Sequence, residues 1–171
     1  MPHLNTRGRL AAWPRERLAE RLSAASYGTI LVLAALVLIN PDDVSSGLGW
    51  GLITGVGAAT WIAHLYAEIV GDHLRHSTAL DRREIRRAAV DGFPIILAAV
   101  PPAVALLLGR LEVLEERVAL WTALVIAVVQ LVGIGAYVGS VSAHGMKSMT
   151  FAAATAAIGL GVVTLKVVLG H

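Results

Sequence analysis

Five strongly apolar runs, none with more than one Asp, Glu, Lys or Arg, follow one another along the chain, each close to the length a helix needs to cross a bilayer. A hydrocarbon core of about 30 Å takes about 20 mostly apolar residues in helical form, because no water is there to satisfy an open backbone. The runs cover residues 24–39, 48–70, 93–108, 118–138 and 151–169. The first and third, at 16 residues each, span only if flanking residues continue the helix to the interface. For the first this is straightforward: residues 15–23 hold no helix breaker, and Pro14 suits a first helical position. It ends at Asn40-Pro41, where the residue before proline is pushed out of the helical region. The run is read as a span and not as a cleaved leader, because Asn40-Pro41-Asp42-Asp43 supplies no small-x-small site.

With 56% hydrophobic and 15% charged residues, the composition departs from that of a soluble domain, where about a quarter is charged. The absence of cysteine excludes a disulfide scaffold, a thiolate-ligated metal and a cysteine nucleophile. Twelve arginines stand against two lysines, and ten of the twelve precede Val90. This clustering reads as membrane topology, so no nucleic-acid partner is expected. Arg7, Arg9, Arg15, Arg17 and Arg21 mark residues 1–23 as a cytoplasmic arm, and Arg75, Arg82, Arg83, Arg86 and Arg87 mark the second connection likewise. PDDVSSG (41–47) has no basic residue and RLEVLEER (110–117) only two, which fits the opposite side. Five spans over residues 24–171 then leave the N-terminus inside and His171 outside.

The second connection has local order of its own. Asp81 and Glu84 have capping-box spacing, flanked by Leu80 and Ile85, which predicts a helix from Arg82. Its Arg82, Arg83, Arg86 and Arg87 face lies against the anionic headgroups of the bilayer. Residues 10–22, LAAWPRERLAERL, read as a second interfacial helix with Trp13, Leu18 and Leu22 toward lipid.

A polar side chain inside a bilayer needs a partner or a cavity, so each one is a candidate for function. At 100° per residue Gly57, Thr60, His64, Glu68, Gly71 and Arg75 fall within about 40° of His64, with Asp72 at the edge. This stripe suits a bonded His64–Glu68 pair with glycines for helix approach, or a path for protons or ions. No metal is expected, since no HExxH or comparable spacing appears, and His73 and His76 are placed in the loop. Gln130, with Ala119, Ala123 and Tyr137, forms a small-and-polar face suited to interhelical contact. Thr155, Gly159, Val162 and Lys166 share another, with Lys166 snorkelling at the outer end. Pro101-Pro102 is a candidate helix break that frees the carbonyls of Leu97 and Ala98. Gly47, Gly49, Gly51, Gly55 and Gly57 lack the strand and Lys-Ser/Thr of a phosphate loop and read as packing surface. Ser140, Ser142 and His144 carry no nucleophile elbow.

The strings YGTILVLAAL (27–36), WIAHLYAE (61–68) and LKVVLGH (165–171) resemble those of small, uncharacterised bacterial multi-pass integral membrane proteins. The resemblance implies residence in a bacterial inner membrane and brings no catalytic residue with it. The expectation is an all-α integral membrane bundle of five spanning helices with short cytoplasmic interfacial helices, neither enzymatic nor cofactor-bearing. Two roles stand foremost, with an intramembrane metal-dependent enzyme as a minor third. One is a small oligomeric permeation unit for ions, protons or small solutes, with His64 and Glu68 on the path. The other is an accessory or assembly subunit of a larger membrane complex.

Overall fold

The computed structural model describes residues 6–76 and 81–141, and in the final stretch 153–154, 157–159, 161–162 and 164–168. Six helices are defined: α1 (Thr6–Leu38), α2 (Pro41–Ser45), α3 (Leu48–His76), α4 (Arg82–Asp91), α5 (Pro94–Arg110) and α6 (Glu116–Val141). Four stretches are long and apolar enough to cross a membrane: Arg17–Leu38, Leu48–Gly71, Arg82–Arg110 and Glu116–Ser140. The described part of the fifth run is helical over a shorter length, Ala157–Val168.

Helix α1 departs from the expectation of a separate interfacial helix at 10–22. It runs unbroken across position 23, because nothing between residues 15 and 38 interrupts a helical ladder. Its hydroxyls turn back on the same helix: Ser26 Oγ donates to the Leu22 carbonyl and Thr29 Oγ1 to that of Ala25, each at 2.8 Å. Polar groups satisfied in this way suit an apolar span. The helix ends where Asn40 is forced to extended backbone before Pro41, and α2 starts there, with the Asp43 carboxylate accepting the Asn40 N–H at 2.8 Å. Helix α3 extends to His76, so His73 and His76 lie on a helix and not in the loop. Helix α4 begins at Arg82, with Glu84 Oε2 accepting the Asp81 N–H at 3.1 Å.

Helix α5 occupies the middle, packed against α1, α3 and α6. Its inner face is mostly alanine, with Ala98, Ala99, Ala103 and Ala105 buried, and a face so small lets neighbours approach closely. The closest approaches use glycine. A Cβ on Gly28 of α1 would lie 3.0 Å from the Ile95 Cα, and one on Gly57 of α3 would lie 2.7 Å from the Ala99 Cβ. One on Gly109 would meet both the Ala119 Cβ and Val44 Cγ1 at 2.6 Å. Around α5 the core is filled by Val32, Leu33 and Leu36, by Ile53, and by Leu120, Leu124, Ala127 and Leu131.

Pro101 and Pro102 do not break α5, contrary to the sequence expectation: the helix continues through both. Their ring-fixed φ is compatible with a helix, and Pro102 is buried in the core, so packing holds the segment helical where two donors are missing. The helix ends with Glu112 in the left-handed region, φ 58°. The Val113 N–H bonds to the Leu108 carbonyl and the Glu112 N–H to that of Gly109, both at 3.0 Å, a Schellman closure with glutamate where glycine is usual. Gly47, at φ 81°, makes the other tight turn at this end and leaves the space filled by the Arg110 guanidinium.

The two ends of the bundle are thus defined by contacts. One end joins residues 40–47 to 109–116, and the other joins the N-terminal half of α1 to the ends of α3 and α4.

Candidate functional site

Residues of the polar stripe on α3 have two fates. Gly57 and Thr60 are buried, Gly57 against Ala99, and serve helix packing. His64, Glu68 and Gly71, about one, two and three turns further on, reach the second end of the bundle and line open space. Two adjoining clefts of about 640 Å³ each share Glu20, His64, Glu68 and Asp91. One is bounded by α4 through Glu84 and Arg87; the other runs along α1 past Ser23 and Tyr27.

The floor of this site is held by α4. Trp61 Nε1 donates to the Ala89 carbonyl at 3.0 Å, tying the end of α4 to α3. Gly92 lets the chain pass close to the imidazole: a Cβ there would lie 3.0 Å from His64 Cδ2 and 3.4 Å from Trp61 Cδ1. Arg21 of α1 reaches Asp91 at 3.3 Å, closing the triangle of α1, α3 and α4. Within it His64 Nε2 lies 3.7 Å from Glu68 Oε1, with side chains 32% and 38% exposed. That distance and exposure describe a loose, partly exposed pair and not a sealed buried one. Carboxylates outnumber cations among the side chains lining the clefts, so the site favours positive charge. The described residues hold no group of three metal-ligating side chains placed to bind an ion.

Sequence reasoning reached His64 and Glu68 but missed Glu20, Tyr27 and Asp91. A signal for two of them existed: continuing the period of α1 back from the buried Ala24 puts Glu20, Ala24 and Tyr27 on one face. No local pattern pairs Asp91 with Arg21, seventy residues away.

The remaining candidates lie elsewhere. Arg82, Arg83, Arg86 and Arg87 are exposed and line a further cleft, of which Arg87 alone also borders the carboxylate cleft. Gln130 is half-buried, and its Oε1 has no hydrogen-bond partner among the described residues, while Tyr137 on the same helical face is exposed. Asp72 sits on α3, with its side chain outside the described ones, and Thr155 lies outside the described residues altogether. Lys166 does not snorkel to solvent. It is buried, at 8% exposure, and its Nζ donates to the Val37 carbonyl at 2.8 Å and to that of Ile39. Val37 lies in the last turn of α1 and Ile39 just beyond it, where carbonyls lack partners within the helix and the negative end of its dipole lies. The ammonium caps α1 from a segment 127 residues away.

Comparison with protein-family models, with curated proteins and with solved structures gave no match.

Proposed function

We propose that the chain is an integral protein of a bacterial inner membrane with five crossings, and that it forms an oligomeric unit passing protons or small cations. The membrane part rests on four helices of crossing length and on the arginine asymmetry, which puts residues 1–23 and α4 in the cytoplasm. Lys166 beside Ile39, with Gly159 beside Val128 of α6, supports the reading of the C-terminal stretch as a fifth crossing. Single cysteines at Ser45 and Ser77 are expected to label from opposite faces, Ser45 from outside. Labelling of both from one face refutes this topology.

The functional part is carried by one observation: His64 and Glu68 open into a carboxylate-lined cleft at the end of the bundle where α1, α3 and α4 meet, the end this reading makes cytoplasmic. Imidazole and carboxylate groups take up and release protons, and a cleft of negative character concentrates cations. Beyond the cleft the core is filled by Leu33, Leu36, Ile53 and Leu106, so the described residues leave no passage through the core of one copy. The passage then runs between copies, along the exposed α3 face of Gly51, Gly55, Ala59 and Ala63. Reconstituted protein is expected to dissipate a pH gradient or a cation gradient across vesicles. Wild-type protein that passes no ion over a broad panel refutes the proposal.

The second reading, an accessory subunit without catalysis or transport, is favoured by the same α3 face, since a Cβ on Gly51 or Gly55 would meet nothing within 4 Å. Native mass spectrometry after mild extraction separates the two: a homo-oligomer supports permeation, and a fixed hetero-complex supports the accessory role.

A further inference from the structure

We propose that the arginine face of α4 is a discrete site for the phosphate-bearing headgroup of an anionic phospholipid. Among the described residues, Arg82, Arg83, Arg86 and Arg87 line one cleft of about 460 Å³. They form two rungs, Arg82 with Arg86 and Arg83 with Arg87, each a like-charge pair four residues apart, an arrangement that destabilises a helix left to itself. Neither acid of α4 relieves them. The Glu84 carboxylate accepts the Asp81 N–H at 3.1 Å, and Asp91 is taken by Arg21 at 3.3 Å. Among the described residues no ion pair reaches the four guanidinium groups. Uncompensated charge, presented by planar forks that match phosphate oxygens, is gathered where one anionic headgroup can satisfy it.

The occupant is a lipid because of where the cleft sits, and here the inference rests on the membrane reading above. Gly92 and Phe93 alone separate α4 from α5, and Arg87 precedes Pro94 by seven positions, about 10 Å along a helix. Ile85, Val90 and Phe93 are exposed beside the arginines, giving acyl chains an apolar surface next to the charged one. Arg87 also lines the carboxylate cleft, so a bound headgroup screens a positive charge at the mouth of the cation site.

The test uses the full chain in neutral detergent, titrated with short-chain phosphatidylglycerol or phosphatidylcholine and read by native mass spectrometry. Wild type is expected to retain phosphatidylglycerol about tenfold or more tightly. The Arg82→Gln, Arg83→Gln, Arg86→Gln, Arg87→Gln variant is expected to hold both lipids alike with its circular-dichroism melt unchanged. Should that variant not fold, Arg82→Gln with Arg86→Gln alone is expected to lose part of the preference. Equal retention of the two lipids by wild type overturns the proposal. So does glycerol phosphate binding as tightly as phosphatidylglycerol, which would make the site one for a soluble phosphate. A protein that passes no ion yet keeps its lipid preference leaves this inference standing while the permeation reading falls. A chain recovered without detergent in the soluble fraction overturns both.

Discussion

Gly55 and Gly57 are two residues apart on α3, and alanine at the two positions is expected to act with opposite sign. At Gly57 the added methyl would lie 2.7 Å from the Ala99 Cβ, at least 0.7 Å inside the 3.4 Å where ordinary contact begins. Both atoms belong to helix backbones through one bond, so neither can swing aside, and relief requires α3 and α5 to separate. Overpacking of this kind costs about 1–3 kcal/mol. It is offset by up to about 1 kcal/mol from replacing glycine with alanine inside a helix. The net for Gly57→Ala is therefore a loss of about 0–2 kcal/mol. At Gly55 a Cβ meets nothing within 4 Å, leaving only the gain. The two variants should differ by about 1–3 kcal/mol, and for a chain of this size each kcal/mol moves a melting midpoint by about 2–4 °C. Melting in a single detergent, at a dilution that keeps the protein monomeric, is the measurement. Equal shifts in the same direction would refute the close α3–α5 approach. Repeating the comparison on the oligomer adds a second reading. If copies meet along α3, Gly55→Ala becomes destabilising there while Gly57→Ala is unchanged.

Replacing Lys166 with methionine keeps the aliphatic stem but strands the Val37 and Ile39 carbonyls at the end of α1, and should cost on the order of 2–4 kcal/mol in denaturant unfolding. An unchanged midpoint would remove the cap. Glu112→Gly relieves a left-handed backbone without loss of a core contact and should raise the melting midpoint, the gain being about 1 kcal/mol. A drop in that midpoint would count against the Schellman closure. For His64 and Glu68, a pair 3.7 Å apart and about one-third exposed, the coupling energy from His64→Leu, Glu68→Met and the double variant should stay below about 1 kcal/mol. The double variant should still abolish proton flux in vesicles, and flux equal to wild type would take the pair off the path.

Four of the five expected apolar helices, and their order, were legible because each is specified by its own composition. A run such as 118–138 has no alternative way to satisfy its backbone away from water. Helix α4 was legible for a local reason too, since Asp81 and Glu84 cap within one turn. Even the stripe of His64 and Glu68 follows from a period of 3.6 residues on one helix. What was not legible depends on which helix faces which. The five glycines at 47–57 look alike in sequence, yet Gly57 is pressed on Ala99, Gly47 makes room for Arg110, and Gly51 and Gly55 face open space. Lys166 looked like a snorkelling lysine, and only the fold carries it to the unpaired carbonyls of α1. Asp91 joins the cleft through Arg21, and Glu20 through the unbroken continuation of α1. Hydropathy and helical period act within one segment, so the sequence determined where the four long apolar helices and α4 lie and which face of α3 is polar. Close packing, helix capping across the chain and the shape of the cleft are properties of pairs of distant segments, and those the tertiary structure alone decided.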